Sequence, residues 1–100
     1  MTKTYMFACA KIEDFAKWKS IYDEDVKLRD DAGMKERYIF TCTEDPKHIA
    51  LLFAIDSIEK AKAFLESPEI RERMKKATIV GDPEIRFFHK VHETCCHEPC

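Results

Sequence analysis

Four short runs of this chain carry apolar side chains at odd and even positions alike, and only two helical stretches lie between them to provide cover. Thr4 to Lys11 sets Tyr5, Phe7 and Cys9 on one face of a strand and Met6, Ala8 and Ala10 on the other. Met34 to Thr43 places Arg37, Ile39 and Thr41 opposite Tyr38, Phe40 and Cys42. His48 to Ile55 runs through Ile49, Ala50, Leu51, Leu52, Phe53 and Ala54, and Glu84 to Val91 divides Ile85, Phe87, His89 and Val91 from Arg86, Phe88 and Lys90. A sheet with one wet face alternates apolar with polar residues, whereas strands of this kind need cover on two sides.

The intervening segments have helical period. Phe15, Trp18, Ile21, Tyr22, Val26 and Arg29 share one side of a helix from about Glu13 to Asp31, which Ala32-Gly33 ends with a left-handed cap. Asp56 or Ser57 caps a second helix with Ile58, Ala61, Phe64 and Leu65 on its apolar side. Ser67-Pro68 breaks that helix, and Ile70, Met74 and Ala77 resume the period beyond it. Glu44-Asp45-Pro46-Lys47 and Gly81-Asp82-Pro83 read as turns.

The order is therefore strand, helix, strand, strand, helix, strand. With right-handed crossovers it closes as an α+β ferredoxin-like βαββαβ plait, a four-stranded antiparallel sheet with both helical layers on one face. The other face stays apolar in whichever register the strands pair, through Met6 or Phe7, Tyr38 or Ile39, Leu51 or Leu52, and Phe87 or Phe88. A second copy of the chain docking sheet to sheet is the expected partner, giving a homodimeric barrel.

The chain has 100 residues, so one domain is expected over residues 1–92, followed by a Cys/His-rich tail over 93–100. Its 17 basic and 19 acidic residues are interspersed, for a formal charge of -2, and no basic stripe is present to grip a nucleic acid. No apolar stretch approaches the ~20 residues of a membrane span, and the expectation is a cytoplasmic protein that binds neither membrane nor nucleic acid.

The run Ile12-Glu13-Asp14-Phe15-Ala16-Lys17-Trp18-Lys19, the helix end Arg29-Asp30-Asp31-Ala32-Gly33, Asp45-Pro46, the stretch Ala61 to Glu69 and Gly81-Asp82-Pro83-Glu84 resemble the small dimeric α+β barrel proteins related to the antibiotic-biosynthesis monooxygenases. The resemblance is greatest to an uncharacterised branch sometimes labelled cyclase, and it covers Tyr5 to His92. It implies a dimeric α+β barrel with a small-molecule pocket between helices and sheet. The same dimer hosts cofactorless monooxygenases, haem-degrading enzymes, isomerases and proteins without a demonstrated reaction, so the resemblance implies an architecture and leaves the chemistry open.

Three groups of residues are candidates for that chemistry. Trp18, Tyr22 and Arg29 share a helix side, where they offer an aromatic wall and a clamp for a carboxylate or phosphate. The plainer alternative is core packing, with Arg29 paired to Asp25 four residues earlier or to a strand carboxylate. His89, among Phe87, Phe88 and Val91, is a candidate general base, with Arg29 as the positioned donor of a cofactorless oxygenase or isomerase. As alternatives it is an axial haem ligand, or a hydrogen-bonded histidine at the sheet edge or dimer seam. Cys95, Cys96, His97 and Cys100 form the third group, suited to zinc or copper(I), to thiol redox chemistry or to no defined role. No cofactor is certain. A nucleophile elbow, a phosphate-binding glycine loop and an HExxH motif are all missing from the sequence.

Overall fold

The computed structural model describes residues 3–92. Strands β1 (Thr4–Ile12), β2 (Met34–Cys42), β3 (Asp45–Ile55) and β4 (Ile79–His89) form one antiparallel sheet in the order β2-β3-β1-β4. Helices α1 (Phe15–Glu24) and α2 (Val26–Asp31) cross from β1 to β2, and α3 (Ile58–Glu66) and α4 (Pro68–Lys76) cross from β3 to β4. Each crossover leaves room for one antiparallel strand between the two it joins. The two split units interlock as the ferredoxin-like plait that the element order predicts.

Local chemistry sets most element ends. The Asp14 carboxylate accepts the Lys17 amide at 3.0 Å to start α1, and the Ser57 hydroxyl accepts the Lys60 amide at 3.2 Å to start α3. Pro68 occupies the first turn of α4, where its missing amide has no intrahelical acceptor to lose. Gly33 follows α2 with φ 71°, and a Cβ there would come within 2.9 Å of Asp56 Oδ2. Its own carbonyl accepts the Asp56 amide at 2.9 Å, so that junction needs a glycine for conformation and for space.

Besides the turn read over 44–47, which lies at residues 43–44 with Asp45 opening β3 opposite Cys42, two expectations are corrected. The single helix over 13–31 is broken at Asp25, whose amide reaches back to the Tyr22 carbonyl at 3.2 Å and whose carboxylate is drawn to Arg73 of α4. The break turns Val26 off the buried stripe, leaving it 48% exposed, while Arg29 stays inside at 7%. The second correction concerns Gly81-Asp82-Pro83, which is a bulge within β4 and no turn before it. Cys9 pairs with Glu84 and Lys11 with Val80, so Ala10 alone spans the three bulged residues. Gly81 supplies φ 72°, and Pro83 is tolerated because β4 lies at the sheet edge.

Register decides which apolar set is inside. Met6, Ala8 and Ile12 of β1 and Ile49, Phe53 and Ile55 of β3 face the helices and pack with Trp18, Tyr22, Ala61 and Ala77. The opposite face takes Phe7, Leu52, Tyr38 and Phe88, through the pairs Phe7 with Leu52, Tyr38 with Leu52 and Tyr5 with Phe88. An irregularity between Glu36 and Tyr38 switches β2 so that Tyr38 and Phe40 point outward together, their rings 5.8 Å apart. Tyr38, Phe40 and Phe88 are 55%, 46% and 52% exposed in the single chain.

Candidate functional site

Helices and sheet do not close completely on one another. A cavity of about 100 Å³ remains between them, walled mainly by apolar side chains of β1, β3, α3 and α4, including Met6, Ala8, Phe53 and Met74. Trp18, Tyr22 and Arg29 all line it. The α1 period puts the two aromatics one turn apart, and their rings stack at 4.8 Å between centroids.

Arg29 lies on α2, just past the break at Asp25, and reaches back toward α1. Its guanidinium lies 3.5 Å from the centre of the Tyr22 ring, and Nη1 donates to the Tyr22 carbonyl at 2.8 Å. That carbonyl belongs to the last turn of α1, so Arg29 also caps a helix end. Asp25, the carboxylate the sequence offers to Arg29, belongs elsewhere. It receives Arg73 Nη2 at 2.7 Å and Nε at 3.1 Å, and Glu24 takes a further Arg73 bond at 3.2 Å. These bonds, those of Asp25 first, raise the Arg73 pKa above its ordinary value.

Tyr22 has a partner that its helix does not reveal. Its hydroxyl donates to Glu36 Oε1 on β2 at 2.9 Å. Burial pushes the phenol pKa well above its ordinary range; the Arg29 charge opposes that rise, and the hydrogen bond to Glu36 adds to it. The neutral phenol is the working form at physiological pH.

His89 lies apart from the cavity. His89 is exposed at the end of β4, its Nδ1 3.4 Å from Thr4 Oγ1, and is not among the lining residues. Cys9 sits on the outward sheet face beside Glu84, and desolvation followed by that carboxylate raises its thiol pKa. Cys95, Cys96, His97 and Cys100 lie outside the described residues. Among the described residues no cluster of three or more His, Cys, Asp or Glu is placed to hold a metal, and no helix is long and apolar enough to cross a membrane.

Asp14 and Asp45 carry structural duties, since Asp14 caps α1 and Asp45 Oδ1 accepts the Lys47 amide at 3.0 Å. Sequence reading missed Glu36, the Asp25–Arg73 clamp and the contribution of Pro83 to the cavity wall. All three arise between segments far apart in the chain.

Comparison with solved structures places this architecture. A protein from Bordetella bronchiseptica named for the antibiotic biosynthesis monooxygenases superposes with a TM-score of 0.76, at 15% identity, over 92% of this chain and 100% of that one. The chain has the fold of the antibiotic-biosynthesis-monooxygenase-like α+β barrels. A conserved protein from Methanosarcina mazei matches at 0.66, with 11% identity over 88% of this chain and 92% of its own. A nipsnap family protein of unknown function from Agrobacterium tumefaciens matches at 0.63, with 13% identity over 88% of this chain and 87% of its own. No family model matches the sequence, and no curated protein matches it significantly.

Proposed function

We propose that this chain is a small-molecule-binding protein that holds an organic ligand between its helices and its sheet and works as a homodimer joined through the outward sheet face. The observation that carries the reading is the cavity itself. A small domain gains stability by filling its interior, because every unfilled volume forfeits dispersion contacts and transfer energy. Here a stacked aromatic pair and a buried guanidinium converge on space that stays open. Wall composition suits a ligand with an apolar body and few polar groups.

Several neighbouring structures are named monooxygenases, and together with the resemblance carried by the sequence this raises a catalytic version, in which the chain acts on its ligand as a cofactorless monooxygenase or isomerase. Of the catalytic pair expected from sequence, Arg29 is in position to stabilise negative charge developing on a ligand, whereas His89 is outside the wall. Binding is therefore the primary reading.

Native mass spectrometry of protein purified without chelator, followed by thermal-shift screening with small apolar organic compounds, tests it. The expected result is a dimer that retains a small molecule or is stabilised by several members of the set. Ala8→Phe, which places a ring in the cavity, should keep the fold and lose that response. A wild-type protein that neither retains nor responds to any compound, or an Ala8→Phe variant that responds like wild type, overturns the reading.

A further inference from the structure

We propose that the ligand of this cavity is an organic monoanion, an apolar body bearing one carboxylate-like head group held by Arg29. The inference rests on the reading of the cavity as a binding site and specifies what the site takes.

The first observation is an imbalance of charge inside the wall. Arg29 is 7% exposed and is the one buried charged side chain among the described residues. A guanidinium offers five N–H donors in a planar fork. Only Nη1 has a protein acceptor, the Tyr22 carbonyl, and no carboxylate among the described residues pairs with the group. Nε and Nη2 are nonetheless not sealed in, because no fully buried side-chain nitrogen among the described residues lacks a partner. They meet accessible space, and the side chain lines the cavity. A cation withdrawn from bulk water without a counter-charge is unfavourable, and a bound anion offering two oxygens to that fork removes the deficit.

Nearby carboxylates do not supply the missing charge. Asp25 lines the same wall but is engaged by two nitrogens of Arg73. Glu36 accepts the Tyr22 hydroxyl at the far end of that ring and is not part of the lining. Capping α1 needs one hydrogen bond and leaves most of the fork free.

The second observation is a depression that adjoins the cavity. A depression of about 210 Å³ between α4 and the β4 bulge shares Leu65, Met74, Ile79, Pro83 and Ile85 with the cavity. Its rim carries Arg71, Lys75 and Asp82, with Asp82 3.7 Å from Arg71. Two cations against one anion bias the approach toward negative ligands, and the shared apolar residues continue inward. Arg73 and Asp25 of the wall are paired with one another, so Arg29 is the lining cation left to balance, and a single negative charge fits it better than a phosphate dianion.

Matched probes separate this proposal from the one beneath it. Octanoate and cyclohexaneacetate are compared with 1-octanol and cyclohexaneethanol at pH 8, by calorimetry and by the emission of Trp18, the only tryptophan in the chain. The acids should bind wild type at least ~10-fold more tightly than the alcohols, the scale of a charge-assisted bidentate contact. Arg29→Gln should bring acid and alcohol to similar affinity, while Arg29→Lys keeps part of the preference. Should Arg29→Gln fail to fold, the wild-type ratio and the lysine variant still decide. Equal binding of acids and alcohols overturns the monoanion while leaving the cavity as a binding site. An acid preference that persists unchanged in a folded Arg29→Gln protein overturns the role of Arg29. No binding of any of the four probes overturns both readings.

Discussion

Tyr22 shows how one side chain joins packing to electrostatics. Its ring stacks on Trp18 and supports the Arg29 guanidinium, while its hydroxyl donates to Glu36 on β2. Tyr22→Phe keeps the ring and removes the donor, and it should cost about 1 kcal/mol at pH 8, the net value of a typical hydrogen bond. A pH signature goes with it. Because the folded-state phenol pKa is raised, the folded form keeps its proton while the unfolded chain begins to lose one near pH 10. The stabilisation linked to that proton is fully present below about pH 10 and declines as the solution becomes more alkaline. Urea unfolding at pH 8, 10 and 11 should therefore show wild type losing stability more steeply than Tyr22→Phe above pH 10. Parallel curves would remove the linkage.

At the scale of elements, α1 ends in the turn at Asp25, and Arg29 of α2 reaches back across that turn to the Tyr22 carbonyl and ring. Arg73 anchors that turn from α4, with two of its nitrogens on Asp25 and the Asp25 side chain 13% exposed. Arg73→Met and Asp25→Asn should each lower the thermal midpoint, and the double variant should lose less than the sum of the two, since the second change acts on a partner already missing. Strict additivity in thermal unfolding would show that the pair is not coupled. Thr78 ties the same layer to the sheet, its hydroxyl receiving the Glu13 and Asp14 amides at 3.3 Å each from a residue with φ 66°. A β-branched residue in that left-handed region is strained, and those two bonds together with the Glu13 amide bond to its carbonyl at 3.0 Å hold it there.

For the whole molecule, one sheet face packs against the helices, and the other is the face through which the proposed dimer would form. Leu51 and Leu52 are sequence neighbours with opposite assignments: Leu51 lines the cavity, and Leu52 pairs with Phe7 and Tyr38 on the outward face. Leu51→Asp should unfold the chain at any protein concentration, because it puts a charge into the interior. Leu52→Asp should instead lower the association constant, giving a folded monomer or a midpoint that falls on dilution. The wild-type thermal midpoint should rise with protein concentration, as mass action requires when association and folding are linked. Sedimentation showing a wild-type monomer at high micromolar concentration would overturn the dimer.

Element order, both-sided apolar strands, a cap at Asp56 or Ser57, the Pro68 break and the glycine after α2 were all legible in the sequence, because each depends on residues within a few positions of one another. The convergence of Trp18, Tyr22 and Arg29 was legible for the same reason, as a helical period. Their surroundings were not. Whether Met6 or Phe7 faces inward depends on strand register, and a shift by one residue exchanges the two faces. Among the described residues Arg29 pairs with no carboxylate, and Asp25, the one offered four residues before it, is taken by Arg73, 48 residues further on. Gly81-Asp82-Pro83 has the composition of a turn, and only the pairing of β1 with both flanking segments of β4 makes it a bulge that contributes Pro83 to the cavity wall. Local sequence determined which elements form and where they end; long-range pairing decided which charges are compensated and where the interior stays open.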